Sequence, residues 1–178
     1  IKDKETPHYY NLVLSGGFLR GTSILGAIKY FKEIGKLKYI KEFAGTSAGS
    51  IISFLIIIGY TTDEILNELC IEISKTISEL DYSNIDNILH DYWIDDMHSI
   101  KEMLEKLLYN KIQQISITFL EFSKKYGINL VITGSNITTQ QTDYFSVNTT
   151  PNLNVIDAIL ISCTIPILFV PRIYNNCY

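Results

Sequence analysis

Residues 43–51, FAGTSAGSI, set a cluster of small side chains between two apolar runs. On the N-terminal side, YIKEFAG (39–45) has the make-up of a strand. On the C-terminal side, a helix over 48–58 follows at once and reads as buried. A chain that passes from strand to helix without a loop must turn sharply. The residue at the apex is then held in a strained backbone conformation that projects its side chain outward. Ser47 occupies that apex. The positions two before and two after it must be small, because strand and helix nearly collide there, and they are Gly45 and Gly49. Ala48 adds little bulk. The helix aims its first amides and the positive end of its dipole at the serine, where an oxyanion would form. Gly-x-Ser-x-Gly by itself is only moderately specific, since a tight turn also favours Gly and Ser.

Upstream, YYNLVLS (9–15) is a short β-type run that stops at Gly16-Gly17. After Gly21 the periodicity puts Ile24, Leu25, Ile28, Phe31 and Ile34 on one helical face, with Gly35 as C-cap. The opening is therefore β-loop-α-β-turn-α, the pattern of an α/β fold with a parallel sheet. From Thr61 to about Tyr126 the pattern is helical: a capping signal at Thr62, an apolar stripe of Ile100, Met103, Leu104, Leu107 and Leu108, and a helix over 116–126 stopped by Gly127. INLVITGSNIT (128–138) and TDYFSV (142–147) read as paired strands around a polar turn. A last helix from Asn154 to Cys163 is ended by Pro166, and ILFVPRIY (167–174) reads as extended.

A second glycine-rich loop, LSGGFLRGTS (14–23), exposes backbone N–H groups toward an anion. Gly16 to Gly21 has the spacing of a phosphate-binding P-loop, but Thr22 stands where its lysine belongs, which argues against a nucleotide-binding module. Adjacent parallel strands end on the same sheet edge, so this loop and Ser47 fall in one site. There Gly16, Gly17 and Ala48 would supply oxyanion-hole amides, with Arg20 as a charge beside the anion or simply a surface residue.

The paired motifs resemble those of the patatin-like phospholipases. Gly16, Gly17, Phe18, Leu19, Arg20 and Gly21 match the family's G-G-G-x-[KR]-G oxyanion motif, with Phe18 in place of the third glycine. Gly45 to Gly49 match its nucleophile motif, and NLVITGSNITTQQTDYFS and VIDAILISCTIPILFVP look like its later core segments. The resemblance covers nearly the whole chain. It implies a single domain over 1–178 with a central, mainly parallel sheet flanked by helices. It also implies a lipid acyl hydrolase with a Ser-Asp dyad, acting on a phospholipid or other lipid ester at a membrane periphery. No metal or cofactor is required, and some relatives need a protein activator.

A serine needs a base. The three histidines, His8, His90 and His98, lie ahead of the first strand or in the helical middle, where the acidic stretch HDYWIDDMH (90–98) reads as a solvated surface rather than a metal site. In a Ser-Asp dyad the carboxylate itself takes the proton. The family's D-G-[GA] motif is absent from this chain, so the domain reads as incomplete at its C-terminus. The aspartate is expected just beyond Tyr178. Asp143 and Asp157 are weaker substitutes. Without a base, a catalytically inactive lipid-binding or effector protein is the alternative.

The bulk composition excludes other classes. With 178 residues, 47% hydrophobic, the chain can bury one substantial core. A net charge of −4 with only two arginines, Arg20 and Arg172, leaves no nucleic-acid footprint, and any membrane contact must be hydrophobic. Cys70, Cys163 and Cys177 are odd in number and scattered, so they read as buried thiols in a reducing compartment. With no signal peptide visible in the first residues, the expectation is an intracellular protein, cytoplasmic or on a membrane periphery. SIISFLIIIGY (50–60) is too short to span a bilayer.

Overall fold

The computed structural model describes residues 8–17, 21–79, 97–164 and 172–177. Its sheet has the order β1-β2-β3-β4. β1 (Asn11–Leu14), β2 (Glu42–Gly45) and β3 (Asn129–Asn136) are parallel, and β4 (Gln141–Phe145) returns antiparallel to β3. Helix α1 (Thr22–Glu33) connects the first two strands. Helices α2 (Ala48–Ile57), α3 (Thr62–Glu79), α4 (His98–Ile112) and α5 (Phe119–Tyr126) fall between β2 and β3, and α6 (Val155–Cys163) follows β4. This is the expected α/β architecture, with a central, mainly parallel sheet flanked by helices.

The core is organised around α2. Its residues from Gly49 to Leu55 are buried, as a helix apolar on every side must be. It lies over β1 and β2 with α6 beside it. Phe54 stacks on Phe122 of α5 at 5.8 Å between ring centroids, and Phe122 leans on Tyr126 at 4.9 Å. From the sheet, Leu14, Phe43, Leu130 and Ile132 point into this core. On the opposite face Val13, Ala44 and Val131 form one in-register row, and Val13 keeps 76% of its surface exposed.

The helix ends are set by local chemistry. At Gly35, φ is +71°, and two bonds close α1: Gly35 N–H donates to Lys32 O at 3.0 Å and Lys36 N–H to Phe31 O at 2.9 Å. This six-to-one and five-to-two pairing is the reason a glycine stands there. The start of α3 corrects the expectation at Thr62, because Thr61 is the capping residue. Its N–H and hydroxyl donate to Glu64 Oε2 at 2.7 and 2.8 Å, and Glu64 N–H donates back to Thr61 Oγ1 at 3.2 Å. A capping box needs a carboxylate three residues on, and Glu64, not Ile65, provides it. Thr118 and Glu121 repeat the device at α5. That helix begins at 119 rather than 116, because Ile117 is drawn into an extended contact in which its carbonyl accepts from Val155 N–H at 2.9 Å. The backbone N–H bonds at Thr61 and Thr118 hold the carboxyls of Glu64 and Glu121 below their usual range.

Two further expectations meet the structure unevenly. Pro166 and most of the extended run 167–174 lie outside the described residues. At its end Tyr174 and Cys177 exchange two backbone bonds of 2.9 Å across a tight turn whose central residues, Asn175 and Asn176, have φ of 49° and 60°. Of the three thiols, Cys163 is buried as expected. Cys70 instead lies exposed on α3, and Cys177 is half-buried. Among the described residues no helix is long and apolar enough to cross a membrane.

Two buried serines of α2 separate the energetics of polar burial. Ser50 Oγ donates to Ser47 O at 2.6 Å, whereas Ser53 Oγ is buried without a hydrogen-bond partner. Removing a made bond destabilises, and removing an unsatisfied hydroxyl relieves a desolvation cost. In urea unfolding, Ser50→Ala should lose about 1 kcal/mol and Ser53→Ala should gain about 1 kcal/mol.

Candidate active site

The parallel strands β1 and β2 end side by side, next to the middle of β3. Leu14 is in register with Gly45, and Gly45 with Ile132. One residue further, Thr46 is pinned on both sides. Its N–H donates to Leu14 O at 3.1 Å, and its hydroxyl lies 2.7 Å from the hydroxyl of Thr133 on β3. The next residue, Ser47, has φ 50° and ψ −121°, and α2 starts at Ala48. That backbone region is one a residue with a side chain seldom occupies, and it persists only where the surroundings impose it.

The surroundings explain each small residue of the motif. A Cβ on Gly45 would lie 2.6 Å from the backbone N and Cα of Ser50. A Cβ on Gly49 would overlap the carbonyl oxygen of Leu14 and lie 2.7 Å from that of Ser15. The elbow is thus wedged against the end of β1. The glycine loop is brought in by the same packing: a Cβ on Gly16 would sit 3.4 Å from the Ser47 Cβ, and one on Gly21 only 2.8 Å from the Ala48 Cβ. The N-terminal ends of α1 and α2 therefore meet beside Ser47, and both present their positive dipole ends there. Gly17 follows Gly16 in this loop and is exposed, while Phe18 and Arg20 lie outside the described residues.

Thr46 N–H donates to Leu14 O, Ser47 N–H to Ser162 Oγ at 2.8 Å, Gly49 N–H to Thr46 O at 2.9 Å, and Ser50 N–H to Ser47 O at 2.8 Å. Among the described residues, the amide of Ala48 is the one in this run that no hydrogen bond occupies. The half-buried Ser47 side chain stands next to it. On its inner side is the thiol of Cys163. Burial pushes that thiol up from 9.0 to about 11, with the Ser47 and Ser50 hydroxyls pulling weakly the other way.

The other candidates lie elsewhere. His8 packs on the Tyr39 ring at 4.2 Å, ahead of β1, and His98 sits 3.2 Å from Glu102 in the first turn of α4. His90 falls outside the described residues, as does most of the acidic stretch around it. Asp143 accepts from Asn136 Nδ2 at 2.9 Å on β4, and Asp157 sits in the first turn of α6, the end away from Ser162. Among the described residues no carboxylate is hydrogen-bonded to Ser47, and no group of three His, Cys, Asp or Glu side chains could hold a metal ion. The structure adds Thr133, Ser162 and Cys163 as neighbours that sequence reading did not single out. Their only sequence signal is a small polar side chain following an apolar run in a helix or strand.

Two outcomes test this packing. Gly49→Ala should cost about 3 kcal/mol or more in denaturant unfolding, because the obstacle is backbone that cannot move aside. Cys163 sets an alkaline limit. The unfolded thiol releases its proton near 9.0 and the folded one near 11, so high pH favours the unfolded chain. Relative to Cys163→Ala, the wild type should hold a constant stability difference below the lower value and lose stability as pH rises between the two.

Comparison with known proteins accords with this geometry. The chain is 37% identical over 171 residues to "Probable lipid hydrolase 463L" of Invertebrate iridescent virus 6, covering 96% of this chain and 58% of that one. It is 30% identical over 168 residues to R571 of Acanthamoeba polyphaga mimivirus, covering 93% and 55%. It thus spans little more than half the length of these relatives. Among solved structures, VipD from Legionella pneumophila matches with a TM-score of 0.63 at 19% identity, over 97% of this chain and 45% of that one. A chain of the heterodimeric complex ExoU–SpcU, from the type III secretion system of Pseudomonas aeruginosa, matches with a TM-score of 0.63 at 24% identity, over 90% and 37%. These two likenesses concern the fold. The model of the patatin-like phospholipase family matches residues 12–178, from the first strand through the elbow to the final turn, and the chain belongs to that family.

Proposed function

We propose that the protein is a lipid acyl hydrolase of the phospholipase A type, with Ser47 as its nucleophile. The observation that carries this reading is the strained Ser47 at the head of α2 beside the unoccupied Ala48 amide. Membership of the family and the printed name of the viral relative support a lipid ester as substrate.

Ser47 Oγ attacks the ester carbonyl, and its proton passes to the dyad's aspartate, which we place in the chain following Tyr178. The negative oxygen of the tetrahedral intermediate is held by the amides of Ala48, Gly16 and Gly17, with the charge of Arg20 beside it. Collapse of the intermediate expels the alcohol, which takes the proton back, and leaves the fatty acyl group on Ser47. Water, deprotonated by the same carboxylate, then releases the fatty acid and regenerates the serine. Under this reading the 1–178 region is one domain and works intracellularly, meeting the membrane periphery through apolar contact. A protein activator is part of the proposal for this chain.

The test is fatty-acid release from phospholipid vesicles by the full natural chain beside Ser47→Ala, with and without a cell extract as activator. The wild type should release fatty acid, and the variant should fall by about a thousandfold or more. Equal release from both would remove Ser47 from the mechanism. Vesicle binding without release, under either condition, would favour the catalytically inactive lipid-binding protein.

A further inference from the structure

We infer that Ser162 is a positioning residue for Ser47: its hydroxyl captures the nucleophile's own amide, so that the elbow presents the Ala48 amide alone to a bound anion. The inference rests on the reading of Ser47 as the nucleophile.

Two peptide planes flank Ser47, and hydrogen bonds fix both. In the plane between Thr46 and Ser47, the carbonyl accepts from Gly49 N–H at 2.9 Å and the N–H donates to Ser162 Oγ at 2.8 Å. In the plane between Ser47 and Ala48, the carbonyl accepts from Ser50 N–H at 2.8 Å, Ile51 N–H at 3.2 Å and Ser50 Oγ at 2.6 Å. The remaining group, the Ala48 N–H, takes part in none of these bonds. Every one of these partners but one belongs to the elbow itself. Ser162 is the exception, 115 residues further along the chain.

Its position is itself well determined. Helix α6 is started by the Asn154 side chain, which accepts from Ile156 N–H at 2.9 Å. The helix is pressed against β3, where a Cβ on Gly134 would come within 3.2 Å of Ile161. Ser162 therefore refers the elbow to the frame formed by α6 and β3. Without it, the Ser47 N–H has no acceptor of its own, and φ at Ser47 is free to relax toward ordinary values, turning Oγ and the Ala48 amide together.

The experiment compares wild type, Ser162→Ala and Ser162→Thr of the full chain, the last keeping an oxygen acceptor. Two quantities are read: amide exchange of Ser47 by 15N NMR, and the rate of covalent capture of Ser47 by a fluorophosphonate. We expect Ser162→Ala to lose Ser47 amide protection and to be captured roughly ten- to a hundredfold more slowly. Its melting curve should remain cooperative, and Ser162→Thr should recover both quantities. Lost protection with an unchanged capture rate would overturn the inference, because the bond would then be structural only. Unchanged protection in Ser162→Ala would overturn it as well. A wild type with a protected Ser47 amide that is not captured at all would instead sink the nucleophile reading, and the positioning role with it.

Discussion

The site depends on one distance that cannot grow: the gap between the Leu14 carbonyl at the end of β1 and the first turn of α2. It admits a glycine Cα at position 49 and no Cβ. With the helix start that close to the sheet edge, no residues are available for a connecting loop, so the turn from β2 must be made within Thr46 and Ser47. The second glycine, Gly45, follows from the same closeness seen from the strand side. The apolar character of α2 also follows, since a helix driven this deeply between the sheet, α5 and α6 has no solvent-facing side to make polar.

Such a turn needs compensation. A side-chain-bearing residue at φ 50°, ψ −121° costs on the order of 1–3 kcal/mol, while each intramolecular hydrogen bond contributes about 1 kcal/mol net. No single bond offsets the strain. The six that converge on the carbonyls and amides of Thr46 and Ser47 do, and they come from four directions: β1, α6, the first turn of α2 and its Ser50 hydroxyl. That redundancy leaves the Ala48 amide as a deliberate remainder. An elbow held by fewer partners would relax, and one that satisfied every amide would have nothing to offer an anion.

The parts legible in the sequence are those in which the constraint is local. Gly45, Ser47 and Gly49 lie within five residues of one another, periodicity exposes α1 and α4, and an unbroken apolar run exposes α2. The paired strands 128–138 and 142–147 announce themselves through their polar turn. The cap of α3 is one residue ambiguous in the sequence, because Thr61 and Thr62 stand together and only the carboxylate three residues on distinguishes them. What was missed altogether is long-range. Nothing in AILISCT marks Ser162 as the acceptor for an amide 115 positions away, or Cys163 as its inward neighbour. Gly21 closes the glycine-rich loop in the sequence, yet its tightest contact is with Ala48, the residue after Ser47.

Under the proposed mechanism a base must reach Ser47, and the described site does not supply one. Its contents are neutral: the Cys163 thiol keeps its proton up to about 11, the neighbouring hydroxyls are un-ionised, and the amide of Ala48 and two helix ends contribute only partial positive charge. This environment favours a developing oxyanion but cannot accept a proton from serine. A carboxylate at this spot would be desolvated, and the same partial positive charge that serves the oxyanion would keep it ionised and ready to take a proton. Asp143 and Asp157 are held by other elements at other places, by the Asn136 side chain and at the head of α6. Under the proposed mechanism, β1, β2 and the helices that follow them would furnish the nucleophile and the anion-holding half of the site.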